Sequence, residues 1–423
     1  MKRRVVAGAA AFLPLGLLIA QASWLHAIGA PAAPPPTPVP PNGSPSPFVS
    51  RLSTPADPVP LPRIDAPAVV LMDLASGQIL YQRAAATARP VASLTKLMTA
   101  LLVLEAEDGR LDRTVRVDPA AVFGRGEYGA GSSLALRPGE RLSVRGLLAG
   151  LLLGSANDAA EALAIEESGS VGAFVAAMNE RASALGMEET TFASPHGLED
   201  RGLSSASDVL TLLREVRRHA TFRRLVASRV VVVRSDSAPP RRIQNRNVML
   251  WLYPGASGVK TGSTAGAGYC LVATAQRGGR ELAVVVLGGR DEVFSEAATL
   301  LNHGFAAYHV RTLVSEGAPL GSVRVRGGTV PVVAGEELEA LVRVQDTREL
   351  ERIVTASRSV AYPPASGSEV GTLRVTSGGT VLGQVPVLVA DLPPPEEPRG
   401  SWWRRAVGAV SSALGSVIAD LMD

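Results

Sequence analysis

The chain has 423 residues, 46 % of them hydrophobic, which is material for a large packed core and excludes wholesale disorder. The net charge is only +3, and no dense basic block follows Lys2-Arg3-Arg4, so a nucleic-acid footprint is excluded. A single cysteine, Cys270, rules out an intramolecular disulfide and a cysteine-rich metal centre. The five histidines are dispersed and form no HExxH run, so neither a metal nor another cofactor is expected.

Lys2-Arg3-Arg4, the apolar residues 5–20 and the small-x-small triplet Ala20-Gln21-Ala22 have the layout of a secretory signal, assigned to residues 1–22. Trp24 to Ile28 lengthen the apolar stretch, so an uncleaved anchor is the alternative. Either reading places the bulk of the chain outside the cytoplasm. Residues 23–63, rich in Pro, Ser and Ala, form an extended linker.

Order begins with the run Ala68-Val69-Val70-Leu71-Met72-Asp73, the turn Ala75-Ser76-Gly77-Gln78 and Ile79-Leu80-Tyr81, which together predict a β-hairpin. Residues 93–106 predict a buried helix. Leu147, Leu148, Leu151 and Leu152 mark a second, and Val171, Phe174, Val175, Met178 and Leu185 a third at helical spacing. Two apolar runs, residues 269–275 and 282–287, flank Arg277-Gly278-Gly279-Arg280 and predict neighbouring antiparallel strands of a central sheet. Cys270 lies in the first of them, as a small buried hydrophobe.

Beyond Val310 short β-rich segments at 323–325, 330–333, 341–344, 373–375 and 385–389 alternate with glycine-containing turns. They predict a small all-β domain, a sandwich, over residues 309–392. A Pro/Glu linker at 393–401 leads to a last segment, 402–423. There Trp403, Val407, Val410, Leu414, Val417 and Leu421 line one face of a helix headed by Trp402, Arg404 and Arg405. Such a helix suits a membrane surface, while Asp420 and Asp423 argue against full insertion.

Three short motifs carry the chemistry. Ser93-Leu94-Thr95-Lys96 places a hydroxyl and an amine one helical turn apart on the same face. A serine hydroxyl becomes nucleophilic only when a base takes its proton, and a lysine is that base only when burial and nearby positive charge keep it neutral. Ser155-Ala156-Asn157 offers a second hydroxyl for proton relay and an amide to hold a substrate carbonyl or orient Lys96. Lys260-Thr261-Gly262 supplies positive charge, a hydroxyl for a terminal carboxylate, and a glycine where a substrate backbone can come close. Each motif alone has an ordinary structural reading. Together, in this order, they match the S-x-x-K, S-D-N and K-T-G set of penicillin-binding proteins and class A β-lactamases, with S-A-N as the second member.

From Arg63 to Leu392 the chain resembles the serine D-Ala-D-Ala carboxypeptidases, the low-molecular-mass penicillin-binding proteins. The resemblance rests on the three motifs with their flanks, on Pro195-His196-Gly197-Leu198, and on Ala267-Gly268-Tyr269. It implies an α+β fold: a β-lactamase/transpeptidase-like catalytic domain over residues 64–308, with a central antiparallel sheet flanked by helices, then the β-sandwich. It also implies that Ser93 attacks the carbonyl between two D-alanines, Lys96 takes the proton, and Ser155 relays one to the leaving amine. Asn157 holds substrate, Lys260 and Thr261 meet the terminal carboxylate, and the backbone N–H groups of Ser93 and Ser263 form the oxyanion hole. The implied partners are peptidoglycan stem peptides, β-lactams as covalent inhibitors, and the membrane surface.

Two positions depart from the family pattern. Where members carry a carboxylate-binding arginine this chain has Ser295, with Arg290 nearby as a substitute; and Phe192-Ala193-Ser194-Pro195 lacks the usual asparagine. His196 matches a family position and reads as a hydrogen-bonded structural residue. A class A β-lactamase needs a glutamate for its deacylating water, and no Glu-x-x-x-Asn loop provides one. Endopeptidase action on cross-links uses the same groups and remains the alternative, together with a β-lactamase-like hydrolase.

Overall fold

The structure is a computed structural model that describes residues 59–107, 109–122, 132–325, 328–343, 350–356 and 364–391. The expected secretory signal, linker residues 23–58, the linker at 393–401 and the terminal helix at 402–423 lie outside the described residues.

Strands β1 (Ala68–Asp73) and β2 (Ile79–Arg83) form the expected antiparallel hairpin. Its turn is closed by Asp73, whose Oδ1 accepts from the backbone N and hydroxyl of Ser76, both at 3.0 Å. Every residue of β1 is buried, so it reads as an unbroken apolar run rather than as alternation.

A largely helical stretch follows. A 3₁₀ turn, Ala92–Thr95, leads into α1 (Lys96–Glu107), which buries Leu97, Met98, Leu101, Val103 and Leu104. Helix α2 (Val144–Ala149) starts at Ser143, whose Oγ accepts from Gly146 N at 3.1 Å. The single helix expected around Leu147–Leu152 instead widens into a π turn, Gly150–Gly154. Such a turn inserts one extra residue, and here it immediately precedes Ser155. Helices α3 (Asn157–Ser168), α4 (Val171–Ala184), α5 (Ala206–Val216) and α6 (Ala220–Ala227) complete this stretch. In α4, Phe174, Met178 and Ala182 recur every four residues and are its buried stripe.

Then come β3 (Ala256–Thr264), β4 (Gly268–Arg277) and β5 (Arg280–Gly289). Gly278 and Gly279 join β4 to β5 with φ of 57° and 79°. Two successive left-handed residues are what a two-residue type I′ hairpin requires, which is why the pair is glycine. The sheet order is β2-β1-β5-β4-β3, so β3 has a free edge within that sheet.

Helix α7 (Val293–Ala307) ends where β6 (Tyr308–Val314) begins. After it come β7 (Pro319–Val325), β8 (Gly328–Ala334), β9 (Leu338–Arg343), β10 (Leu350–Ala356), β11 (Glu369–Ser377) and β12 (Thr380–Val389). They form a five-stranded sheet, β7-β8-β12-β11-β10, and a two-stranded one, β6-β9. Leu313, Val314, Leu338 and Val342 of the smaller sheet share one apolar cluster with Val332, Leu373, Val375 and Val387 of the larger. The described residues of all five segments read from the sequence lie on these strands, whereas β6 and β10, with weaker patterning, were not expected.

The described residues form two compact units. One holds those of 86–274 and 287–294; the other holds those of 59–85, 275–286 and 295–391. Every residue of the three motifs belongs to the first.

Candidate functional site

Ser93 sits on the 3₁₀ turn Ala92–Thr95, in a backbone the sequence does not adopt without support. Ala92 has φ of 48°, a left-handed conformation that costs a non-glycine residue of order 1–3 kcal/mol. Two glycines brace this turn from outside. A Cβ on Gly262 would lie 2.9 Å from Ser93 N and 3.2 Å from Val91 O. A Cβ on Gly197, itself at φ 71°, would overlap the Ala92 carbonyl and Thr95 Oγ1. Besides its expected role toward a substrate backbone, Gly262 leaves space that a Cβ would take from the turn that carries Ser93. Replacing Gly197 by alanine is expected to destabilise the protein by at least about 2 kcal/mol, read as a drop in Tm, because strain and overlap act together.

Lys96 opens α1 and is fully buried, one turn from Ser93. Its Nζ lies 2.8 Å from each of three oxygens: Ser93 Oγ, Asn157 Oδ1 and the carbonyl of His196. Burial, then the charges of Lys260 and Arg246, hold its amine well below the ordinary lysine range, against the opposing pull of Asp158 and Glu199.

Ser155 follows the π turn with φ of 61°, buried, two residues before Asn157. Asn157 heads α3, where its backbone N donates to the Ser132 carbonyl at 2.7 Å. The next residue, Asp158, accepts from the backbone N of Leu134 at 3.0 Å and of Leu136 at 3.1 Å, and from Ser133 Oγ at 2.6 Å. That buried carboxylate pins the neighbouring loop against the start of α3.

On β3, Lys260 and Gly262 are buried, whereas Thr261 is half-buried and Ser263 exposed. Lys260 Nζ donates to the Thr261 carbonyl at 2.8 Å. Burial, helped by Arg246, pushes its pKa down to about 7. The far end of β3 is tied to the segment after His196: Asp200 accepts from Thr264 Oγ1 and, at 3.0 Å, from Gly266 N.

The motifs therefore converge as follows. Ser93, Lys96 and Asn157 meet through direct hydrogen bonds, Gly262 packs on the Ser93 turn, and Lys260 lies within electrostatic reach of Lys96. Arg290 is exposed beyond the end of β5, and Ser295 lies in the first turn of α7. Two contributors were missed in the sequence. Arg246 is an exposed arginine among many, and nothing in its flanks marks it. Glu161 lies four residues after Asn157, one turn on along α3, and its Oε1 is 3.0 Å from His196 Nε2. Its buried helical position was the available signal. Among the described residues, no cluster of three or more His, Cys, Asp or Glu side chains could hold a metal ion.

Residues 54–291 match the family model described as D-alanyl-D-alanine carboxypeptidase, and residues 308–391 match that of the penicillin-binding protein 5 C-terminal domain. The chain belongs to the D-alanyl-D-alanine carboxypeptidase family. It is 34 % identical to the D-alanyl-D-alanine carboxypeptidase DacC of Escherichia coli, over 78 % of this chain and 84 % of that protein. It is 30 % identical to DacF of Bacillus subtilis, over 76 % of this chain and 84 % of that one. The crystal structure of penicillin binding protein 6B from Escherichia coli superposes with a TM-score of 0.62 at 30 % identity, covering 78 % of this chain and 96 % of the other. The activity implied by the resemblance, that of a serine-type carboxypeptidase, is the activity of this family.

Proposed function

We propose that this carboxypeptidase removes the terminal D-alanine from peptidoglycan stem pentapeptides through an acyl-enzyme on Ser93. The surroundings of Lys96 Nζ carry this reading. A neutral amine has two N–H donors and one lone pair. Asn157 Oδ1 and the His196 carbonyl are acceptors, so the two hydrogens go to them. The lone pair is left facing Ser93 Oγ, ready to take its proton.

Ser93 Oγ adds to the carbonyl carbon between the two D-alanines while its proton passes to Lys96. The oxyanion is held by the backbone N–H groups of Ser93 and Ser263, each donor contributing about 3–4 kcal/mol to the transition state. The proton on Lys96 passes through Ser155 to the departing amine, the C–N bond breaks, and free D-alanine leaves. Water then adds to the ester carbonyl as Lys96 takes its proton, the ester C–O bond to Ser93 breaks, Lys96 returns the proton to Ser93 Oγ, and the shortened peptide leaves. Lys260 and Thr261 receive the terminal carboxylate, with the charge of Arg246 behind them. β3, with its free edge, gives the peptide a strand to lie along. A β-lactam acylates the same serine and leaves slowly.

The test is incubation with a pentapeptide ending in D-Ala-D-Ala, with free D-alanine as the readout. Release at high turnover supports the reading, and no release removes it. A cross-linked dimer in parallel separates carboxypeptidase from endopeptidase action, and rapid turnover of a penicillin would point to a β-lactamase-like hydrolase instead.

The chain is placed outside the cytoplasm and peripherally on the membrane by its sequence ends, the basic-then-apolar residues 2–20 and the one-sided apolar face of residues 402–423. No helix among the described residues is long and apolar enough to cross a membrane. Truncation after residue 392 is expected to move the protein from the membrane fraction to the soluble extracytoplasmic fraction with its carboxypeptidase activity intact.

A further inference from the structure

Lys96 reaches its second carbonyl acceptor across 100 residues of sequence, at His196, and that carbonyl is held by more than its own backbone. The imidazole of His196 is buried and bonded at both ring nitrogens. The backbone N–H of Leu198 donates to Nδ1 at 3.2 Å, so Nδ1 carries the lone pair. Nε2 then bears the hydrogen and points at Glu161 Oε1, 3.0 Å away. Around the ring, Ser194 Oγ accepts from Gly197 N at 2.9 Å and lies 3.3 Å from Nδ1, and Thr99 Oγ1 donates to the Pro195 carbonyl at 2.5 Å. The carboxylate of Glu161 is buried on α3, the same helix that presents Asn157. Both acceptors of the Lys96 amine are thus referred to one rigid element: Asn157 directly, and the His196 carbonyl through the imidazole and Glu161.

We propose that Glu161 and the His196 imidazole are positioning residues for the reaction, a strut from α3 that fixes the His196 carbonyl and with it the direction of the Lys96 lone pair. Neither side chain touches the reacting atoms. The inference rests on Lys96 being the base that activates Ser93, and its test is read relative to a wild type already shown to release D-alanine. An error in that reading would appear there, before any Glu161 variant is considered.

The strut has a signature that stability alone does not. A carbonyl acceptor favours an ammonium over an amine, so a loosened His196 carbonyl makes Lys96 easier to deprotonate. The other charges facing Lys96 are Lys260, Arg246, Asp158 and Glu199, and a change at Glu161 leaves all four in place. Acylation by a fluorescent penicillin should therefore respond in two ways in Glu161→Ala. The plateau rate falls about 10- to 100-fold, because the base is misdirected. The acid limb of its pH profile moves to lower pH. Glu161→Gln keeps an oxygen to accept the Nε2 hydrogen and is expected within about 3-fold of wild type, with the acid limb restored.

The proposal is overturned if Glu161→Ala acylates at the wild-type rate with an unmoved acid limb, or loses rate with no movement of that limb. It is also overturned if Glu161→Gln is as impaired as the alanine variant, since the charge rather than the strut would then matter. Should Glu161→Ala fail to melt cooperatively, Glu161→Met, of similar volume and without an acceptor, is held to the same two outcomes.

Discussion

Substitution of Ser93 by alanine is expected to lower D-alanine release from a D-Ala-D-Ala pentapeptide by at least about 10⁴-fold and to abolish covalent labelling by a fluorescent penicillin. The magnitude follows from what the hydroxyl does. Without it no acyl-enzyme forms, and what survives is the contribution of binding and the oxyanion donors to direct attack by water. The substitution removes one oxygen and creates no overlap, and Lys96 keeps its bonds to Asn157 and the His196 carbonyl. The melting temperature is therefore expected to stay within a few degrees of wild type, and pentapeptide binding to persist. Release by Ser93→Ala at a rate near wild type would exclude the acyl-enzyme on this serine.

The second large effect concerns the charge state of two buried lysines that need opposite forms. In the proposed mechanism Lys96 works as the neutral amine, and Lys260 works as the cation that meets a carboxylate. Burial and the charges of Lys260 and Arg246 hold the Lys96 amine well below the ordinary lysine range. As pH falls and that amine is protonated, kcat/KM falls because the base is occupied. Above about 7, the value to which burial pushes Lys260, kcat/KM falls again because the free enzyme loses its anion anchor. A bound carboxylate raises Lys260, so kcat is expected to hold to higher pH than kcat/KM. Lys96→Arg replaces the base with a group that does not deprotonate in this range, and acylation should fall by about 10³-fold or more at every pH. A kcat/KM that stayed flat across the whole range from acid to alkaline pH would mean that neither lysine has the assigned role.

Much of this protein is legible in local patterns of the chain. The unbroken apolar runs of β1, β4 and β5, the glycine pair between the last two, and the short strands beyond residue 310 read correctly because each depends on neighbours in the chain. The π turn before Ser155 did not, because one extra residue in a helix leaves the spacing of its leucines almost unaltered.

The motif residues were likewise readable as types in a fixed order, and Ser93 with Lys96 as a pair, since three positions on a helical turn dictate their proximity. By itself the sequence determined that a serine and a lysine would stand together. The tertiary structure decided what makes that pair chemically competent. The Lys96 lone pair points at Ser93 only because Asn157, 61 residues away, and His196, 100 residues away, both present oxygen. Burial and the charges of Lys260 and Arg246, brought in from β3 and the segment before it, push the amine well below the ordinary lysine range. Gly262, read as room for substrate, also leaves room for the turn that carries Ser93. Direction, charge state and clearance depend on distances between remote segments, and no local pattern encodes those distances.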